Sequence, residues 1–308
     1  MKRALKPFHL LVVLLLLTAS SALSSCSGGT SIEHPLLWKV TGHGAEAYLF
    51  GTMHVADPRV TNLHPSVDKA FTSSEAFYTE AGESTPSDGA KFATAGMLPE
   101  GMSLKKLLPA QLWQDLDSYL ISRGLVGASM HDKHRPWFVA LQLAHLDAIP
   151  LLEGGPALDF AMTARAKKDG KEIGALEQIE EQIAALAVGD LSDQVHMLEI
   201  TVQKLLEEQA AGTPAVLRLL ELYIEGNTDA LWDYAMEETD MNDPVQVRAW
   251  HALLAERNVR MISRIDEKLK TAEGRQFMFA VGSLHYVGPD SIVNGLRDLG
   301  YEVTRIDG

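Results

Sequence analysis

One pattern occurs twice in this chain, near its two ends, and it limits what the chain can fold into. Tyr48-Leu49-Phe50-Gly51-Thr52-Met53-His54 and Phe277-Met278-Phe279-Ala280-Val281-Gly282-Ser283-Leu284-His285 are each an apolar run of strand length. Each closes with Gly, a small hydroxyl residue, a large apolar residue and His. A glycine at a strand's exit lets the backbone turn or come close to a ligand, so Gly51 and Gly282 would shape the mouth of a sheet. One copy alone reads as an ordinary strand end with an incidental histidine. Two copies, each presenting an imidazole, point to one site assembled from both ends of the chain.

Two further short strands end in acids. Ala76-Phe77-Tyr78-Thr79 runs into Glu80, and Lys171 to Leu176 runs into Glu177. In open α/β sheets ligands bind where strands exit at their carboxyl ends. Two imidazoles and two carboxylates at such exits suit a borderline divalent ion, with Zn, Mn, Co and Fe all fitting. A metal site with an open position makes hydroxide available near neutral pH, and one carboxylate off the metal then serves as general base. Taken singly, either acid reads as a surface residue at a loop start. No phosphate loop, dinucleotide fingerprint, His-Glu-x-x-His helix or Gly-x-Ser-x-Gly elbow occurs. His131 and His134 are spaced for a metal, but their charged neighbours Asp132, Lys133 and Arg135 read as a solvated helix start.

Between these strands the periods are helical. Leu36 to Val40 and Ala47 to Phe50 form a hairpin through Gly42-His43-Gly44. A helix opens at Pro65, and Gly82 to Gly101 reads as a loop with a short helix, a candidate lid. Helices follow from Leu104 to about Ala148, from Pro156 to Lys168, through Val195 to Leu206, and over Ala215–Glu225 and Ala230–Met236. One long helix covers Val245 to Lys270, and a helix from Ser291 with a strand from Tyr301 closes the chain. The expectation is a single α/β domain over residues 35–308, a small central sheet of dispersed strands with large helical insertions.

The 27 basic and 41 acidic residues give a net charge of −14, which offers no track for phosphates and argues against nucleic acid as a partner. The first 25 residues invert that balance. Lys2, Arg3 and Lys6 precede the apolar run Leu10 to Leu17, too short to span a bilayer comfortably and typical of a signal peptide. It leads into Leu23-Ser24-Ser25-Cys26, which resembles a bacterial lipobox and holds the sole cysteine of the chain. Residues 1–25 are then a lipoprotein signal peptide, Cys26 the lipidated residue, and 26–34 a polar tether. Ser27 after the cysteine implies an outer-membrane anchor facing the periplasm or the cell surface.

Several motifs together resemble the TraB/GumN family, which includes PrgY and the Tiki proteases. They are Leu37-Trp38-Lys39-Val40, Phe50 to His54, Tyr78-Thr79-Glu80, Arg135-Pro136-Trp137, Asp159, Leu176-Glu177 with Gln182, Arg257-Asn258 and Val281 to His285. The resemblance implies a fold related to the erythromycin-esterase and ChaN group and a metal-dependent site. By it, His54, Glu80 and His285 are metal ligands or their neighbours. Glu177 is a further ligand or the base, and Arg257 lines the site. It also implies a peptide or other small extracytoplasmic substrate. The alternatives are a non-catalytic protein that sequesters a peptide signal and a haem or iron binder using the same histidines.

Overall fold

A computed structural model describes residues 32–307. The expected signal peptide, Cys26 and most of the tether lie outside the described residues. A six-stranded sheet has the order β4-β3-β5-β2-β1-β6, with β1 Leu37–Gly42, β2 Ala45–Thr52, β3 Ala76–Thr79, β4 Glu172–Ala175, β5 Gln276–Gly282 and β6 Glu302–Arg305. The chain is thus the expected α/β fold, a small sheet of dispersed strands with helical insertions.

The hairpin forms where Gly42-His43-Gly44 predicts it. Gly42 pairs with Ala45 across a two-residue loop whose residues, His43 and Gly44, both have positive φ, at 52° and 81°. That is the turn whose twist matches antiparallel strands. β6 also pairs antiparallel with β1, whereas β2, β5, β3 and β4 pair in parallel: Thr52 lies opposite Gly282, Ala280 opposite Thr79, and Thr79 opposite Ala175. β2, β3, β4 and β5 therefore finish at one edge. β5, the apolar Phe277 to Val281, is buried throughout its length, as expected of a parallel strand covered on both faces.

Most helices lie between the strands. α1 spans Pro65–Ser73, α2 Pro86–Ala95, α3 Ala110–Ser122, α4 Pro136–Ala148, α5 Leu158–Lys168 and α6 Ile179–Leu186. α7 spans Leu191–Ala211, α8 Ala215–Glu225, α9 Thr228–Glu237, α10 Pro244–Trp250, α11 Glu256–Lys270 and α12 Ile292–Asp298. The largest core joins the sheet to α1, α5, α8 and α11 through residues such as Phe71, Leu158, Leu219, Met261 and Phe279. A second core, with Leu116, Leu120, Leu143, Leu198 and Val202, holds α3, α4 and α7 together as one helical insertion.

The short helix expected within Gly82 to Gly101 is the ten-residue α2, started by a reciprocal capping box between Thr85 and Asp88. One segment differs from the sequence reading. The segment Val245–Lys270 is not one regular helix, because a π-helical turn, His251–Ala255, separates α10 from α11. Such a turn shifts the following residues around the axis, and Arg257 and Asn258 come directly after it.

Candidate active site

The register of the sheet gathers the four expected side chains. Glu80 follows β3 and Glu177 follows β4 by two residues, with the Glu177 N–H donating to the Glu80 carbonyl at 2.8 Å. His54 follows β2, and His285 lies in a single turn after β5. Gly282 ties the two halves together, since its N–H donates to Glu80 Oε1 at 2.7 Å. A Cβ at Gly282 would stand 3.2 Å from that same oxygen, so any side chain there would press on the carboxylate. Gly51 is equally confined, with Leu36 Cβ 3.0 Å and Ser283 Cα 3.2 Å from where its Cβ would be. Its carbonyl accepts a hydrogen bond from the buried Tyr223 hydroxyl at 2.7 Å.

The two carboxylates share one cation. The Arg257 side chain is 2% exposed. Its Nη2 donates to Glu80 Oε2 at 2.6 Å and to Glu177 Oε2 at 2.5 Å, and its Nε donates to both Glu177 oxygens. Burial opposes the Glu80 charge, but Arg257 and the Gly282 N–H outweigh it and hold that carboxyl down at about 2. Glu177 is wholly enclosed in this ion pair.

His285 is oriented by Asn258. The Asn258 Nδ2 donates to the Asp290 carbonyl at 2.8 Å, which turns its Oδ1 towards His285 Nδ1, 2.6 Å away. A carbonyl oxygen only accepts, so Nδ1 carries the imidazole proton. Burial, and then the Arg257 guanidinium, push His285 down to about 3, so the ring is neutral and its Nε2 keeps a lone pair. That Nε2 faces Glu80 Oε1 at 3.9 Å. His54 has a different partner: its Nδ1 stands 2.5 Å from Asp159 Oδ2. The two form an ion pair, while His54 Nε2 is buried with no partner among the described residues. Burial opposes charge on His54, but Asp159 and then Glu80 prevail and raise it to about 9.

His54, Glu80 and Asp159 line a pocket with Thr163 and Gln182 that leaves about 50 Å³ for water. His285, Glu177 and Arg257 are outside its lining and meet it through Glu80. Asp159 and Asn258 are the participants to which sequence reasoning gave no role. Asp159 sits in the first turn of α5 and Asn258 on α11, and neither position carries a strand-exit signal.

The arrangement has a donor set that fits a divalent ion. Two acceptors, His285 Nε2 and Glu80 Oε1, face each other too far apart for a hydrogen bond, within the span of one ion bonded at about 2 Å to each. His54 Nε2 is a second nitrogen in the same neighbourhood, without a hydrogen-bond partner among the described residues. The set is not a closed cage: among the described residues no three His, Cys, Asp or Glu side chains are grouped to hold an ion as they stand.

The family model of the TraB/PrgY/gumN family matches residues 36–305, and the chain belongs to that family. Among curated proteins, it is 28% identical to the metalloprotease TIKI2 of Xenopus tropicalis over 87% of this chain and 59% of that protein. It is 27% identical to the metalloprotease TIKI1 of Danio rerio, over 91% of this chain and 65% of that one. For the human metalloprotease TIKI1 the identity is 24%, over 87% and 61%. The chain thus spans less than two thirds of the length of these relatives. No solved structure matches it.

Proposed function

We propose that this chain is a lipid-anchored, metal-dependent hydrolase of the bacterial cell envelope that acts on peptides. The observation that carries the reading is the facing pair His285 Nε2 and Glu80 Oε1, 3.9 Å apart beside the unpaired Nε2 of His54. In this reading His54, His285 and Glu80 hold a divalent ion, one of Mn, Co, Zn or Fe. Such an ion would supply Lewis-acid chemistry, making a water nucleophilic near neutral pH. The relatives named as metalloproteases support the same class.

The chain's own residues account for the rest. Asn258 fixes the His285 tautomer and Asp159 fixes the His54 ring, as carboxylates and amides do behind metal-bound histidines. Arg257 keeps Glu80 ionised, and Glu177 holds Arg257 in place rather than acting on substrate. Asp159 faces the pocket and is placed to take a proton from water there, a role Glu177 is too enclosed to fill. The substrate in this reading is extracytoplasmic, and the lipobox-like Leu23-Ser24-Ser25-Cys26 supports an anchor at the outer membrane. No described helix is long and apolar enough to cross a membrane.

A second reading, a protein that sequesters a peptide without cutting it, draws on Arg257, which engages the proposed metal ligand Glu80 as well as Glu177. Haem is a poor fit to a pocket leaving about 50 Å³ for water. Metal content by mass spectrometry on the full chain, beside His54→Ala/His285→Ala, decides between the first two. About one equivalent in the parent, lost in the double variant, is the expected result. No metal in either protein after incubation with each ion would sink the hydrolase reading.

A further inference from the structure

We propose a second metal site, for a soft monovalent ion such as Cu(I), at the turn His131-Asp132-Lys133-His134 and the Met97 segment facing it. The sequence reads this turn as a solvated helix start, but His131 is 5% exposed and its residue lies against the insertion core. The His134 N–H donates to the His131 carbonyl at 2.9 Å, closing a four-residue turn that brings both side chains together. Their ring centroids are 5.5 Å apart. At that separation two imidazole nitrogens can reach one ion through bonds of about 2 Å.

The two rings have nitrogens with nothing to bond. Nδ1 of His131 and Nδ1 of His134 are buried with no hydrogen-bond partner among the described residues. An unpaired buried polar atom is costly, and two in one contact are unusual unless something else pairs them.

The third donor is a thioether. Met97 and His134 are direct antiparallel partners, held by the Leu98 N–H donating to the Lys133 carbonyl and the Arg135 N–H to the Gly96 carbonyl. Directly paired residues carry their side chains on one face with Cβ atoms about 5 Å apart, which puts the Met97 thioether within reach of the His134 side chain. The carboxylate in the turn is turned away: Asp132 Oδ1 accepts from Ser103 Oγ at 2.7 Å and from the Lys105 N–H at 3.0 Å. Two nitrogens and a sulfur, with no oxygen among them, favour a soft ion over a hard one.

The test is an anaerobic Cu(I) titration against the chromophoric chelator bicinchoninate, using the full chain in a Cys26→Ser background so that no thiol competes. The parent and His54→Ala/His285→Ala should withdraw one equivalent of Cu(I) equally well, which separates this site from the pocket. His134→Ala should bind at least tenfold more weakly. Met97 is 42% exposed, so Met97→Leu leaves the fold intact by circular dichroism while weakening Cu(I). Failure of the parent to withdraw Cu(I), or withdrawal by folded His134→Ala as strong as the parent's, would overturn the proposal.

Discussion

Asn258 and Arg257 are neighbours in sequence and act on the site in opposite ways. Asn258 acts on geometry: without its Oδ1 the His285 ring can take either tautomer, and Nε2 loses its fixed lone pair. Asn258→Leu should therefore weaken metal binding by about 10- to 100-fold, and Asn258→Asp, which keeps an acceptor, should recover most of it. Competition with a metal chelator reads this, and equal affinity in Asn258→Leu would remove the orienting role. Arg257 acts on charge. Arg257→Ala leaves Glu80 and Glu177 buried without their cation, a loss of roughly 3–5 kcal/mol in chemical denaturation. Adding Glu177→Gln to that variant should restore part of the stability, because one of the two uncompensated charges is gone.

The elements that position these residues are short, and their ends are tied by side chains. Glu181 is the clearest case. It accepts from the Gln178 N–H at 2.8 Å to start α6, and its two oxygens each take a nitrogen of Arg264 at 2.7 Å. Arg264 also donates to the Leu176 carbonyl at 2.6 Å, so this pair anchors the exit of β4 to α11. The Arg264 hydrogen bonds outweigh burial and lower Glu181 from 4.5 to about 2. A carboxyl depressed on folding contributes stability that is complete above its unfolded value and disappears as pH falls through the folded one. Glu181→Gln should thus cost about 1–3 kcal/mol at pH 7, and that difference should shrink from pH 4.5 towards pH 2. Urea unfolding of both proteins across that range measures it. A difference independent of pH would mean that the charge is not what matters.

At the scale of the whole molecule, the helical insertion and the sheet have separate cores. Leu116 is fully buried in the insertion and Phe279 in the sheet. Truncating either to Ala should destabilise the protein by about 3–5 kcal/mol. Only Phe279→Ala should also weaken metal uptake under conditions where both variants remain folded, because β5 carries Gly282 and His285. Equal loss of metal in Leu116→Ala would show that the insertion supports the site directly.

Much of this arrangement is written in local chemistry. The apolar runs closed by Gly-x-x-His, the Gly-His-Gly turn and the acids after β3 and β4 are local signals, and local signals suffice to place strands, a hairpin and their exits. The π turn before Arg257 leaves no such mark, because the Val245–Lys270 segment keeps its helical apolar period through it. Tertiary structure alone decides which partner each exit residue meets. Glu80 and Glu177 look alike in sequence, yet Glu80 reaches the pocket while Glu177 is enclosed around Arg257. His54 and His285 end the same motif, yet one lies against a carboxylate and the other against an amide. Those differences come from α5 and α11, which are distant in sequence from the strands they meet. Periodicity records which face of a helix is buried, but not what lies opposite it.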